Sequence, residues 1–189
     1  MKRVLVHMCC GPCSIYPVKK MLEGEAEVTG YFHNPNIHPE SEFRRRLDAV
    51  KRLAMLMRLD ILCDEEYRPE EFVAEVVGPH ARDSRHPPFG ERCRRCYALR
   101  LEATARLASS RGFDAFTSSL LYSRYQDHEA VRAEGERAAR VHGVEFLYRD
   151  FREGWREGVE KSKEYGLYRQ KYCGCIYSRF ERYGITGSQ

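Results

Sequence analysis

Short apolar runs alternate along this chain with stretches whose apolar residues recur every three or four positions. The first run, Val4-Leu5-Val6, predicts a buried strand over residues 3–8. A helix is expected over 14–24, with Ser14 as N-cap, Pro17 in the first turn and Gly24 at the stop. Residues 28–33 predict a second strand. Phe43, Leu47, Val50, Leu53, Ala54 and Met57 follow at helical spacing, so residues 41–59 should form an amphipathic helix with its Arg and Lys residues on the opposite, solvated face. A third strand is expected over 59–63 and a short helix over 70–77. The polar, Pro-rich passage GPHARDSRHPPFGE then breaks regular structure, and another helix begins near Cys93. A strand over 114–119, a helix over 127–142 and a strand over 144–148 complete the pattern.

Alternation of strands and helices predicts an α/β fold: a Rossmann-like parallel sheet of about five strands, covered by helices. Residues 151–189 depart from it as an aromatic, basic and partly helical tail carrying two cysteines. With no repeat or linker, 1–189 reads as a single domain, 1–150 forming the core and 151–189 completing a site. Open parallel sheets bind ligands at the carboxyl ends of their strands, near the reversal of strand order. There, directly after the first strand, stands HMCCGPCS, residues 7–14, where a nucleotide-binding relative would carry a Gly-rich phosphate loop.

A chain of 189 residues, 42% apolar, can bury a core without disulfides. No stretch approaches the roughly 20 apolar residues of a membrane span, and Val4-Leu5-Val6 is too short for a secretory signal. The expected compartment is the cytoplasm, where thiols stay reduced and clustered cysteines point to metal or catalysis. A net charge of +4 excludes a polycation that coats nucleic acid indiscriminately. Locally, however, Arg92, Arg94, Arg95, Arg100 and Arg106 surround a cysteine pair with Glu102 as the sole acid between them. Such a patch would attract a polyanion.

Seven of the eight cysteines form three groups: Cys9-Cys10-x-x-Cys13, Cys93-x-x-Cys96 and Cys173-x-Cys175. Each group is a chelate unit. Cys63, alone at the end of a strand, reads as a core thiol. Structural zinc or a [4Fe–4S] cubane takes four ligands, so seven thiols leave three for a second ion or for chemistry. Ligands from three distant segments would tie the sheet edge, the middle helix and the tail together, and the tail should be disordered without metal.

HMCCGPCS, NPNIHPESEFRRRL, RCRRCYALRL, SSLLYSRYQDH and LYRQKYCGCIYS together resemble the QueH family of epoxyqueuosine reductases, in the family's order and from His7 to Ser178. The resemblance implies removal of the epoxide oxygen of epoxyqueuosine in the tRNA anticodon loop. It also implies independence from cobalamin, a [4Fe–4S] cluster with an adjacent mononuclear iron, and a fold of the PP-loop (HUP) group. At the position of Cys13 the family has Cys or Asp, which suits a ligand of the extra ion. On this reading Cys10, Cys93, Cys96 and Cys175 hold the cubane and Cys9, Cys13 and Cys173 the second iron, although neighbours could exchange roles.

Turning an epoxide into an alkene needs two electrons and two protons, with oxygen leaving as water. The electrons must come from an external donor that the sequence does not identify. His7, Asp127 (or His128) and Tyr177 are candidate proton donors. Arg92, Arg94, Arg95 and Arg100 could meet RNA phosphates, and Tyr97, Tyr125, Tyr168 and Tyr172 could stack splayed bases. Two rivals stay open. One is an iron–sulfur PP-loop-like tRNA thiolase, which would need an ATP-cradling glycine loop in place of HMCCGPCS. The other is a non-catalytic, zinc-stabilised RNA-binding module, which metal and sulfide analysis would distinguish.

Overall fold

The structure, a computed structural model, describes residues 1–78 and 89–184. Most of the Pro-rich passage expected to interrupt regular structure lies outside these residues. Five strands, β1 (Arg3–His7), β2 (Glu27–Phe32), β3 (Asp60–Cys63), β4 (Ala115–Ser118) and β5 (Glu145–Phe146), form one sheet in the order β3-β2-β1-β4-β5. Every pairing is parallel. β1 is central, His7 standing opposite Tyr31 on one side and Ser118 on the other. Val4, Leu5 and Val6 are buried because helices cover both faces of the sheet. The chain lays down β1, β2 and β3 in one direction and then β4 and β5 on the other side of β1, so the order reverses between β1 and β4. This is the crevice in which parallel sheets bind ligands.

The helices are α1 (Gly11–Glu23), α2 (Glu40–Met57), α3 (Pro69–Phe72) running into a π-helical turn (Val73–Val77), α4 (Phe89–Ser110), α5 (His128–His142), α6 (Trp155–Glu164) and α7 (Ile176–Tyr183). The first differs from expectation in its start. Cys10, not Ser14, is the N-cap: its backbone is extended and its sulfur accepts from the Cys13 N–H at 3.4 Å. Pro12, preset for a helical first turn, allows the earlier start. Ser14 instead lies inside the helix, donating to the Cys10 carbonyl at 2.7 Å, and Pro17 falls in the helix interior. Starting at Gly11 also brings α1 hard against α2, since a Cβ at Gly11 would lie 2.7 Å from the Ala49 carbonyl oxygen.

In α2 the expected apolar face is buried at Phe43, Leu47, Val50, Leu53 and Ala54. The charged face is only partly solvated, however, because Glu42 and Arg46 are each 1% exposed. One turn apart, they pair at 2.7 Å between Arg46 Nε and Glu42 Oε1. α6 and α7 belong to the tail: α6 packs on α1, and Tyr177 of α7 packs with Phe72, Val76 and Cys96.

Gly11→Ala should destabilise the protein by about 1–3 kcal/mol, the usual cost of forcing an extra methyl into a packed contact. Urea unfolding followed by circular dichroism would measure it, and an unchanged midpoint would show that the α1–α2 approach can relax.

Candidate metal centre

Three cysteines meet at the carboxyl end of β1. The sulfurs of Cys9, Cys10 and Cys13 all lie within 4.8 Å of one another and the three residues are buried. Ser119, just past β4, fixes the first of them from across the crevice. Its hydroxyl oxygen accepts from the Cys9 N–H at 2.9 Å and donates to the Cys9 sulfur at 3.2 Å. Hydrogen bonds from Cys10 and Cys13, joined by that of Ser119, hold the Cys9 thiol well below its ordinary range, so it is the ready thiolate of the three. Burial pushes Cys10 up, and hydrogen bonding to Cys10 and Cys9 pushes Cys13 up. A closely spaced, buried set of soft donors fits a thiophilic metal ion.

The other four thiols come from α4 and the tail. Cys93 and Cys96 stand one turn apart on α4, pushed up to about 11 and about 12 respectively, mainly by burial. Cys173 and Cys175 both interact electrostatically with each of them. Cys175 repeats the device of Cys10: it is the N-cap of α7, and its sulfur accepts from the Ser178 N–H at 3.4 Å. Between Cys173 and Cys175 the backbone turns at Gly174 with φ +132°, a region that favours glycine. A Cβ there would also approach Arg46 Nη1 to 3.0 Å.

Arg46 joins the two groups. Its Nη1 donates to the Cys173 carbonyl at 2.8 Å and its Nη2 to the Tyr172 carbonyl at 2.9 Å, while its charge acts on both Cys10 and Cys173. Tyr172 donates to the His38 carbonyl and Tyr168 to Glu42 Oε2, each at 2.5 Å. The tail, expected to be disordered without metal, therefore has protein anchors of its own. At the rim, Gln126 reaches the Cys173 sulfur at 3.6 Å and Gln170 the Cys13 sulfur at 3.3 Å.

The remaining candidates are dispersed. His7 is wholly buried, with Nδ1 2.9 Å from Ser118 Oγ and Nε2 3.2 Å from the His33 carbonyl. Burial, with help from Arg100, lowers its pKa to about 3, so the ring is neutral and both nitrogens serve the fold. Asp127 is exposed and caps α5, accepting from the Ala130 N–H at 3.0 Å. His128 is buried, with Nε2 3.3 Å from the Ser123 carbonyl. Tyr177 packs with Phe72, Val76, Cys96 and Cys175, and burial raises its pKa. Arg92 is buried over the Tyr177 ring, pairs with Glu181 and acts on Cys93 and Cys175.

Arg94 and Arg95 point outward, paired with Glu134 at 2.6 Å and Glu91 at 3.1 Å. Arg100 is buried. Tyr97 is buried with its hydroxyl on Gln126 Oε1 at 2.8 Å, whereas Tyr125 is 80% exposed. Cys63 is half-buried at the end of β3, apart from the seven, and is pushed up to about 11 by burial. Sequence reasoning missed Ser119, Gln126 and Arg46. The first two lie inside the quoted block SSLLYSRYQDH, and the third was hidden by its charge.

Residues 4–181 match the sequence model of a family described as epoxyqueuosine reductase QueH. A protein of that description from Dehalococcoides mccartyi is 35% identical over 186 residues, covering 98% of this chain and 97% of its own. One from Thermotoga maritima is 36% identical over 185 residues, covering 96% and 93%. Among solved structures, a predicted subunit of tRNA methyltransferase from Methanocaldococcus jannaschii superposes with a TM-score of 0.55 at 10% identity, over 87% of this chain and 75% of that one. This last likeness shows the α/β fold alone.

Arg46→Met leaves the buried Glu42 without its counter-charge, with only the Tyr168 hydroxyl on it, and should cost about 3–5 kcal/mol. Hydrogen exchange would show residues 168–178 losing protection before the sheet does. Equal loss in both would mean that Arg46 supports the whole core and not the tail. Because most of the seven thiols are protonated at neutral pH, metal uptake by the apoprotein should release protons and weaken as pH falls. Titration in weak buffer with a pH indicator measures this, and uptake without proton release would contradict the thiol pKa directions.

Proposed function

We propose that this chain, which belongs to the QueH family of epoxyqueuosine reductases, removes the epoxide oxygen of epoxyqueuosine at the tRNA anticodon wobble position and leaves queuosine. The observation that carries the reading beyond family membership is the cluster of Cys9, Cys10 and Cys13 at the mouth of the sheet. Cys9, Cys10 and Cys13 lie close enough to share one ion, and the electrostatically linked Cys93, Cys96, Cys173 and Cys175 offer the four ligands of a cubane. This division moves Cys10 to the single-ion group and Cys173 to the cluster, relative to the one drawn from the resemblance. Cys10 and Cys173 share Arg46 and stand where the two groups adjoin.

Iron held by these residues would relay electrons from an external donor and supply a Lewis acid for the epoxide oxygen. The chain's own side chains have other work. Cys9, Cys10 and Cys13 would hold one ion through three protein ligands, a set that in catalytic metal sites generally leaves room for substrate. Ser119 holds the Cys9 sulfur in place, and Gln126 and Gln170 fence the rim beside Cys173 and Cys13. Tyr177, kept protonated by burial next to Cys175, is the proposed proton donor. The leaving oxygen takes two protons and departs as water, and the two electrons come from an external donor. Cobalamin has no role in this scheme.

For tRNA, the proposed contacts are the outward Arg94 and Arg95 on phosphate and Tyr125 on a base. Tyr125 stands edge-on to Trp155, over which Arg124 lies, and adjoins Gln126 at the rim. An exposed ring beside a cation suits an unpaired base. No helix of the described residues is long and apolar enough to cross a membrane. Action on tRNA with reduced thiols fits the cytoplasm. The whole of 1–189 serves as one domain, its tail closing the site.

Anaerobic incubation with epoxyqueuosine-containing tRNA and a strong reductant, read by nucleoside mass spectrometry, should show loss of one oxygen atom. Protein holding iron and sulfide that leaves the nucleoside unchanged would sink the assignment. Cys9→Ser should abolish turnover. Tyr125→Ala should weaken tRNA binding by about 1–3 kcal/mol, and binding should fall steeply with added salt. A flat salt response would exclude the phosphate contacts.

A further inference from the structure

The reading above leaves one buried charge unused. Arg100 projects from the middle of α4 and is 1% exposed. Its Nε donates to the Cys96 carbonyl one turn back at 3.1 Å, and its guanidinium carbon lies 5.9 Å from the centre of the Tyr97 ring. Its Nη2 is shut away from solvent with no hydrogen-bond partner among the described residues. The titratable groups that face it include Cys96, Cys173, Cys9 and the Tyr97 phenol. These three thiols come one from each cysteine motif. His7 also faces it and is neutral.

A guanidinium cannot shed its proton, and burying one short of counter-charge is costly. An anionic iron–sulfur group held by thiolates would remove that cost, and the free N–H of Arg100 offers such a group a charged donor beside the neutral ones of Ser119, Gln126 and Gln170. We infer that Arg100 is the positioning residue of the metal centre: it donates Nη2 to a sulfur of the bound group, and its fixed charge raises the potential at which that group accepts an electron. The inference rests on the functional reading above and adds a role for this residue. One-electron reduction adds one negative charge beside a fixed positive one. Removing the positive charge must therefore make reduction harder.

The test compares wild type, Arg100→Met and Arg100→Lys, with Arg140→Met on the exposed face of α5 as a remote charge control. All are purified and reconstituted anaerobically. Folding is checked by circular dichroism, iron and acid-labile sulfide are assayed, and the midpoint potential is found by dithionite titration followed by electron paramagnetic resonance. Folded Arg100→Met should either lose iron and sulfide or shift its reduction equilibrium at least tenfold, about 59 mV more negative for a one-electron couple. Arg100→Lys keeps the charge and should stay much closer to wild type, and Arg140→Met should not move.

Wild-type occupancy and midpoint in folded Arg100→Met would overturn the inference. Should Arg100→Met fail to fold, Arg100→Lys decides alone. A loaded Lys variant near the wild-type midpoint supports the role of charge, and a tenfold shift despite retained charge overturns it. Wild-type protein that takes up no iron and sulfide would instead overturn the functional reading beneath.

Discussion

A guanidinium sealed from water holds α2 and the tail together. Arg46 bonds the Cys173 carbonyl 127 positions away in sequence and the Tyr172 carbonyl beside it, with Glu42 balancing its charge. Taking that pair out of water is expensive, and the Coulomb attraction alone need not offset it. The carbonyls of the tail complete the hydrogen bonding and make the burial tolerable. The arrangement also selects geometry, since a planar fork accepts the tail in one orientation only. The Cys173-Gly174-Cys175 turn is thereby delivered to the mouth of the sheet, with His38 bonding the Gly174 carbonyl at 2.8 Å from the other side. Metal binding would then complete a site whose ligand spacing is largely set beforehand.

Around that clamp the electrostatics run in opposing directions. Burial makes most of the seven thiols reluctant to ionise, whereas buried arginines, the ready Cys9 thiolate and two helix N-termini favour negative charge. Both N-termini are capped by cysteine sulfur, at Cys10 and at Cys175. Groups that cannot discharge thus favour an anionic site, while most of the thiols hold protons that a bound metal would displace. The tension is local to the site. Elsewhere most charged groups pair at the surface, where each contributes little.

The sequence made the sheet readable because β1 is a continuous apolar run and α2 keeps its apolar residues at helical spacing. Chelate units were equally plain, since cysteine pairs at such spacings in one chain have few other uses. What stayed hidden was the fate of charged residues. Arg46 and Arg100 look like solvated helix positions, and only the tertiary partners, a carboxylate one turn away and thiols from distant segments, show why they are inside. Tyr97 misled for a related reason: its ring is core and its hydroxyl has an internal partner. Ser14 looked like the better cap because hydroxyls usually outcompete thiols, and the first-turn Pro12 decided otherwise.

The same first turn explains why a fold associated with phosphate binding does something else here. At a helix N-terminus that binds phosphate, free backbone N–H groups point at the ligand. In α1 the Cys13 N–H is taken by the Cys10 sulfur, Pro12 has none to give, and the Cys9 N–H is held by Ser119. A phosphate placed there would meet three buried sulfurs and few free donors. The sulfurs are what the backbone was arranged to present, and a positive helix end behind them favours the thiolate form that a metal requires. Cysteines at this turn thus suit a cation bound by thiolates better than an anion bound by amides, on the same sheet, crevice and helix.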